Sequence, residues 1–333
     1  MLFLCGVLLA TSCTPGQLSS RQPGNSPSPE AGGVTIRLGF SAWPGWFPWQ
    51  VAQEAGIFTQ NNLSVELTWF DGYLDSINAL TAGQLDANSQ TLNDTIAPLG
   101  AGADLVVVLT NDNSTGNDQI IVRDGINTIA DLKGKTVAAE EGTVDHFLLL
   151  LGLQQEGLSS QDINFQPLET GKAAAAFAAG QVDAVGVFAP FSTQALKRPG
   201  SKALFTSADF PGAISDHLVF NRSFVDEHPD AVQALVKSWF ATLDYIKANP
   251  DASYEIMAKR AGVSVEEYKE YDAGTLIFSV EDNLKAFQAG NNMSSLPFAA
   301  EKVSQFLIDV GLTSQAPDLS KLFDDRFVQA VSP

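Results

Sequence analysis

The chain has 333 residues, a length that suggests two domains or one large bilobed domain. It carries 19 Lys and Arg against 38 Asp and Glu, a formal net charge of 19 − 38 = −19, which argues against a nucleic-acid-binding protein. Three histidines and two cysteines are too few for a histidine-rich or Cys₄ metal centre, so we expect no metal and no cofactor.

The N-terminal residues indicate export. Residues 1–12, MLFLCGVLLATS, form an apolar run shorter than the roughly 20 residues that span a bilayer, as in a signal peptide. Ala10-Thr11-Ser12-Cys13 resembles a bacterial lipobox, so we expect lipid on Cys13; an ordinary cleaved signal is the alternative. Residues 13–33 are rich in Ser, Pro and Gly and predict a lipid anchor followed by a flexible linker.

From residue 34 the sequence alternates between period-two runs, which predict strands, and helical patterns. The predicted strands are 34–40, 63–69, 85–88, 105–109, 136–139, 163–167, 182–188 and 216–220. The predicted helices are 48–58, 74–82, 95–99, 146–155, 172–179, 229–248, 252–261, 265–271 and 299–310. This alternation implies an α/β chain with ligand sites at the carboxyl ends of its strands.

A short repeat supports two similarly built lobes. AGQLDA at residues 82–87 recurs as AGQVDA at residues 179–184, and each copy follows a predicted helix. We place lobe 1 at 34–120 plus 221–333 and lobe 2 at 121–220, joined by two crossings that form a hinge and a cleft.

Three motifs carry a resemblance to a known family. They are LTAGQLD at 80–86, IADLKGKTVA at 129–138 followed by GTVDHFL at 142–148, and AGQVDA at 179–184 with FAPF at 188–191. In this order they resemble the nitrate/sulfonate/taurine-type (NMT1/THI5-like) substrate-binding proteins of bacterial ABC importers. The resemblance implies a type II periplasmic-binding fold, in which two α/β lobes close on a small solute and present it to a membrane permease.

The resemblance places ligand loops at 41–46, 71–76, 90–94, 140–146 and 188–191, and Asp216 lies on the returning strand beside them. Aromatic and acidic side chains dominate these positions, and the predicted ligand-binding residues are Trp43, Trp46, Asp71, Tyr73, Asp94, Glu140, Glu141, Thr143, Asp145, His146, Phe188 and Asp216. Core packing of the aromatic rings and a solvated acidic surface are the alternatives, and His146 fits a core position equally well.

The sequence offers no catalytic motif. GxSxG, HExxH and a phosphate-binding GxxxxGK[ST] loop are absent, and the neighbours in Asp145-His146 and Asp216-His217 point in different directions. We therefore expect a binding protein and no enzyme. A chemosensory protein, an enzyme of the same fold and a structural lipoprotein are the competing classes.

The acidic loops predict the charge of the ligand. Sulfonate binders of the family present Gly-, Ser- and Thr-rich loops and helix N-termini, whereas these loops carry acids and nearly no basic residues. We expect a monomeric, extracytoplasmic lipoprotein that delivers a small nitrogen-rich cation to the ABC permease of the inner membrane. The cation would be a guanidino compound, an amine or an aminopyrimidine; the alternative ligand is an aliphatic sulfonate, taurine or nitrate.

Overall fold

A computed structural model describes residues 33–331 of the chain. The predicted signal peptide at 1–12, the lipidation of Cys13 and nearly all of the linker at 13–33 lie outside the described residues and stay predictions.

Eleven strands are numbered in chain order within the described residues. They are β1 (Thr35–Phe40), β2 (Ser64–Trp69), β3 (Ala87–Thr91), β4 (Leu105–Ser114), β5 (Asp118–Val122), β6 (Thr136–Ala139), β7 (Asn164–Pro167), β8 (Ala184–Phe188), β9 (Lys202–Thr206), β10 (Ser215–Asn221) and β11 (Thr275–Ile277).

The helices of the same range lie between and after these strands. They are α1 (Pro48–Glu54), α2 (Ile57–Gln60), α3 (Tyr73–Thr81), α4 (Leu92–Gly100), α5 (Val144–Gln155), α6 (Thr170–Ala178), α7 (Phe191–Ala195), α8 (Arg222–Glu227), α9 (Pro229–Ala248), α10 (Pro250–Ala261), α11 (Val265–Glu270), α12 (Val280–Ala286), α13 (Leu296–Asp309) and α14 (Arg326–Gln329). Single 3₁₀ turns occupy Ile129–Leu132, Ser160–Asp162, Ser207–Asp209 and Tyr271–Gly274.

The first sheet has six strands in the order β11-β4-β10-β3-β1-β2. Strand β1 pairs in parallel with β2 and β3, whereas β10 runs antiparallel between β3 and β4. The parallel strands are joined through helices, as the alternating sequence pattern predicts. Their carboxyl ends lead into the loops that carry Trp43, Tyr73 and Asp94.

The second sheet has five strands in the order β7-β6-β8-β5-β9, with β5 antiparallel to β8 and β9. The chain enters this sheet after β4 and leaves it after β9, so the molecule has two α/β lobes joined by two crossings. Strand β10 differs from the sequence-based lobe ranges: it falls within 121–220 but pairs in the first sheet. Its apolar run gave its direction but not its partners, because strand pairing is a non-local property.

The two copies of the repeat form the same local structure. Gly83 and Gly180 follow α3 and α6 with φ of 71° and 77°, the left-handed conformation that ends a helix and favours glycine. The aspartate of each copy pairs with an arginine: Asp86 with Arg37 at 2.6 Å and Asp183 with Arg123 at 2.6 Å. The repeated motif therefore consists of a glycine that ends a helix and an aspartate that forms an ion pair with an arginine of a neighbouring strand or its end.

The core lies on both sides of the first sheet and extends to the second. Trp49 on α1 is fully buried, with its ring 4.6 Å from that of Trp239 and its Nε1 donating to Ser89 Oγ. Trp49 is therefore a core residue. In the part of the chain that the structure covers, no helix combines the length and apolarity needed to cross a membrane.

Candidate functional site

Four aromatic rings meet where the two sheets face each other. Trp43 and Trp46 come from the loop after β1, Tyr73 begins α3, and Phe188 ends β8 of the second sheet. The ring centroids form a closed cycle, with Trp43–Trp46 at 6.4 Å, Trp46–Tyr73 at 5.3 Å, Tyr73–Phe188 at 6.2 Å and Phe188–Trp43 at 6.1 Å. We call these four residues the aromatic box. Contacts at such distances are favourable aromatic pairs, so the box holds both lobes together.

The aromatic box encloses a cavity of about 10 Å³, which is room for about one water molecule. Asp118 and Asp216 complete its polar wall, and Thr91, Val144 and Ile214 complete the remainder. Both lobes contribute to the lining, as a solute clamped between them requires. The described conformation is therefore closed, and entry of an organic solute requires the lobes to separate.

Asp112 on β4 and Asp216 on β10 are cross-strand neighbours beside this cavity. Burial raises the pKa of Asp112 to about 8, against hydrogen bonds from Trp43 and Asp216 that lower it. Burial, followed by the negative charges of Asp112 and Asp118, raises the pKa of Asp216 well above its ordinary value. Like charges this close do not both ionise, so protons remain on this pair near neutral pH.

Asp118 and Asp145 add two more buried carboxyl groups. Asp118 opens β5 opposite Phe188 of β8, and burial raises its pKa to about 7. Asp145 lies in the first turn of α5, accepts a hydrogen bond from Thr170 Oγ1 at 2.8 Å, and has a pKa raised well above its usual range by burial. The Oδ2 atom of Asp118 and the Oδ1 atom of Asp145 are buried without a hydrogen-bond partner.

Two carboxyl groups, one from each lobe, each accept a hydrogen bond from the start of a helix in the other lobe. Asp94 on α4 accepts a hydrogen bond from the Val144 backbone N–H, the first residue of α5, at 3.2 Å. Glu140, which precedes α5, accepts at 3.4 Å from the Leu74 backbone N–H near the start of α3. Negative charge is favourable at a helix N-terminus, so each contact stabilises the closed arrangement. Burial raises the pKa of both groups, that of Asp94 to about 7.

The loop between the two cavity tryptophans packs tightly on Asp112. Trp43 Nε1 donates to Asp112 Oδ1 at 2.9 Å. A side chain at Gly45 would collide with the same carboxyl group. The Trp-Pro-Gly-Trp segment therefore needs glycine here for close approach, and Asp112 fixes the orientation of Trp43.

The predicted site residues divide into three groups. Trp43, Trp46, Tyr73, Phe188 and Asp216 line the cavity. Asp94, Glu140, Thr143 and Asp145 are buried next to it, at or around the N-terminus of α5. Asp71 and Glu141 are exposed, and His146 stacks on Phe165 of β7 at 4.4 Å, so none of these three lines the cavity.

Sequence reasoning missed Asp112, Asp118 and Ile214, and it placed Thr91 in the predicted ligand loop 90–94 without naming it as a ligand-binding residue. Asp112 lies in the polar half of β4, whose predicted strand ended at Leu109, and Asp118 begins a strand that was not predicted. Thr91 follows a strand predicted to end at residue 88 and hydrogen-bonds Asp94 and Tyr73. The available signal was the polar run TNDNSTGND at 110–118. Most of its residues are buried, although a run of this composition is typical of a solvated loop.

Within the described part of the chain, no buried positive side chain balances these acids. Six carboxyl groups are buried together, and we call them the acid cluster: Asp94, Asp112, Asp118, Glu140, Asp145 and Asp216. Within residues 33–331 no Lys or Arg side chain is buried. Nor does that range hold a group of three or more His, Cys, Asp and Glu arranged to bind a metal ion. Uncompensated buried carboxylates are costly, and burial accordingly raises the pKa of these groups.

Two α/β lobes that close over a small cavity define a periplasmic-binding-protein fold. A family model described as NMT1/THI5 like matches residues 43–253, and the chain belongs to this family. The resemblance drawn from the motifs is therefore confirmed.

Individual proteins of known name are similar to this chain in sequence or in structure. A protein of Escherichia coli K12, provisionally named an aliphatic sulfonates-binding protein, is 28% identical over 78% of this chain and 82% of its own length. The taurine-binding periplasmic protein of the same organism is 24% identical over 90% of this chain and 94% of its own. The alkanesulfonate-binding protein SsuA of Xanthomonas axonopodis pv. citri, solved with MOPS bound, superposes with a TM-score of 0.74 at 20% identity, covering 89% of this chain and 99% of that one. All three are named for binding and not for catalysis.

Proposed function

We propose that this chain is the solute-binding component of an ABC-type importer and that it has no catalytic activity. Its family membership and its closed cavity between two lobes support this role. We further propose that it works as a monomer in the periplasm, attached to the membrane by lipid on Cys13, and hands its solute to the permease. The apolar run ending in Ala10-Thr11-Ser12-Cys13 motivates the lipid anchor.

We propose that the solute is a small, nitrogen-rich cation: a guanidino compound, an amine or an aminopyrimidine. The observation that carries this proposal is the acid cluster around the aromatic box, without a buried Lys or Arg in the described part of the chain. A cation would pair with the carboxylates that desolvation otherwise disfavours. The aromatic faces would add about 0.5–2 kcal/mol of cation–π attraction.

The relatives favour the alternative, an aliphatic sulfonate or taurine, because their names record sulfonates and taurine as ligands. Nitrate belongs to the same anionic alternative. A sulfonate would need donors such as the N-terminus of α5, where the Val144 N–H already donates to Asp94. Asp145 and Glu140 beside that terminus already accept from the Thr170 hydroxyl and the Leu74 N–H, two further donors that a sulfonate could have used. Identity below 30% leaves room for the ligand to change while the fold is kept.

In this mechanism, opening of the lobes exposes the aromatic box and Asp118 and Asp216 to solvent. A solute that contacts both lobes binds the closed form more tightly than the open one and so shifts the population to the closed form. The reciprocal contacts of Asp94 and Glu140 close over the solute. The closed form is then the species that docks on the permease.

A thermal-shift screen of the purified chain tests the proposal. The panel contains amines, guanidino compounds and aminopyrimidines on one side, and taurine, alkanesulfonates and nitrate on the other. A site-specific ligand at 100 times its Kd adds about 2.7 kcal/mol of stability. A tight anion with no cation response would replace the cation proposal by its alternative, and a chemically converted solute would refute the assignment as a binding protein.

A further inference from the structure

We infer that the solute is a flat, delocalised cation of the guanidinium or amidinium type, hydrogen-bonded at its edges to Asp118 and Asp216 and covered by the aromatic box. This inference rests on the proposed function, and it narrows the cation to one chemical class. Three features of the cavity carry it: the unpartnered carboxylate oxygens, the ring of aromatic faces and the size of the space between them.

The carboxylate oxygens require N–H donors. Asp118 is 2% exposed, Asp216 is 1% exposed, and both line the cavity. The Oδ2 atom of Asp118 has no hydrogen-bond partner, and that of Asp216 has none besides the proton that it shares with Asp112. Buried acceptors of this kind are almost always satisfied in folded proteins. A quaternary ammonium ion has no N–H and would leave both oxygens unpartnered. A guanidinium or amidinium ion presents paired N–H groups in one plane, the geometry that matches carboxylates.

The aromatic box favours a flat ion over a tetrahedral one. Its four rings form a closed cycle with neighbouring centroids 5.3–6.4 Å apart. A planar, weakly hydrated cation stacks on aromatic faces, whereas a compact ammonium is strongly hydrated and loses more on entering such a wall. The acids therefore favour an ion whose N–H donors lie in one plane, and the rings favour an ion whose two faces are free for stacking.

The size of the cavity limits the rest of the molecule. Its volume is about 10 Å³, so even guanidinium requires the lobes to close slightly less tightly than in this conformation. A large ring system or a long chain would displace several of the buried core side chains around the cavity. One further buried oxygen without a partner, Asp145 Oδ1, belongs to the same acid cluster. The site therefore suits a compact ion with many donors better than an extended solute with one charged end.

Calorimetric titration of the full-length purified chain with matched probes tests the inference. The probes are guanidinium, acetamidinium, methylammonium, tetramethylammonium, urea and taurine, at concentrations far below those that denature proteins. Urea has nearly the shape of guanidinium without its charge, and methylammonium has the charge without the flat array of donors. We expect guanidinium or acetamidinium to bind at least about 30-fold more tightly than either.

Variants locate the binding site. Asp118→Asn and Asp216→Asn keep the side-chain shape and remove the charge, and each should weaken guanidinium binding by about 30-fold or more. Asp226→Asn, on the exposed surface of α8, should leave it unchanged. Melting curves check that each variant folds. The titration of the wild-type chain with the probe series tests the inference even if a variant does not fold.

The outcomes separate the two levels of the proposal. Methylammonium binding as tightly as guanidinium overturns the flat-ion inference and leaves the proposed cation binding intact. Tight binding of taurine, with no response to any of the cations, overturns both and returns the sulfonate alternative. Guanidinium binding that is unchanged in Asp118→Asn and Asp216→Asn refutes the assigned site.

Discussion

Asp112 on β4 and Asp216 on β10 face each other as cross-strand neighbours, and both carboxyl groups are buried. Opposed acidic pairs destabilise a sheet unless a proton or a cation separates them. Residues 33–331 bury no lysine or arginine that could take that position. A proton therefore remains on this pair near neutral pH, and a bound cation would take over the role of that proton beside the cavity.

The free energy of unfolding of the ligand-free protein should fall as pH rises from about 6.5 to about 8.5. Burial raises the pKa of Asp118 to about 7 and that of Asp112 to about 8, so the folded state holds protons that the unfolded state has already released. His146 and His217, with pKa lowered to about 4 and about 3 by burial, have the opposite effect, but only below their unfolded value of about 6.5.

Urea denaturation across this pH range measures the effect. Asp112→Asn removes one of the titrating groups and should flatten the dependence, whereas the exposed Asp226→Asn should not. Stability that is constant or that increases over this range would show that the acid cluster does not hold protons in the folded state.

The two carboxylate contacts across the sheets should control closure. Asp94→Asn and Glu140→Gln together remove both negative charges from the starts of α5 and α3. We expect the closed form to become about 1–3 kcal/mol less stable relative to the open form. Small-angle scattering of the ligand-free double variant should give a larger radius of gyration than wild type. Glu141→Gln is the matched control, since Glu141 adjoins Glu140 but is exposed. Equal radii for all three proteins would contradict a role for these contacts.

Sequence alone predicted the alternating elements well because their patterns are local. Helix α9 begins and ends where its apolar spacing and Pro229 indicated, and the box residues were found because aromatic rings follow strand ends. The short edge strands β9 and β11 lacked such a pattern. Asp118 was missed for a different reason: its burial comes from pairing between β5 and β8, which no local window contains.

Trp43→Phe should destabilise the fold although it conserves an aromatic ring. The change removes the Nε1 donor that binds Asp112 Oδ1 at 2.9 Å and leaves a buried carboxylate oxygen unsatisfied, at a cost of about 1–3 kcal/mol. Trp69→Phe is the control, because its Nε1 donates to the exposed Asp71 and water can replace that bond. Chemical denaturation compares the two, and equal losses would show that the Trp43–Asp112 bond has no special weight.

Cys13→Ala should leave the signal uncleaved and the chain without lipid if Cys13 is lipidated in the wild type. The expectation comes from Ala10-Thr11-Ser12-Cys13. Fractionation of cells and mass measurement of the mature N-terminus test it. Cleavage of wild type and variant at the same bond, without the added mass of lipid on wild-type Cys13, would support an ordinary signal peptide instead.

Ligand binding should compact the protein and change its tryptophan fluorescence. Trp43 and Trp46 belong to one lobe, and Phe188 comes from the other, so the environment of the two indoles depends on closure. Five tryptophans contribute to the signal, and Trp49 and Trp239 are core residues that closure does not affect. Trp46→Phe should therefore reduce the ligand-induced change, whereas Trp239→Phe should preserve it.

Scattering supplies the independent measurement, because a solute that shifts the population to the closed form must lower the radius of gyration. A saturating ligand that leaves the scattering curve unchanged would refute closure as the mechanism, even if the fluorescence responds.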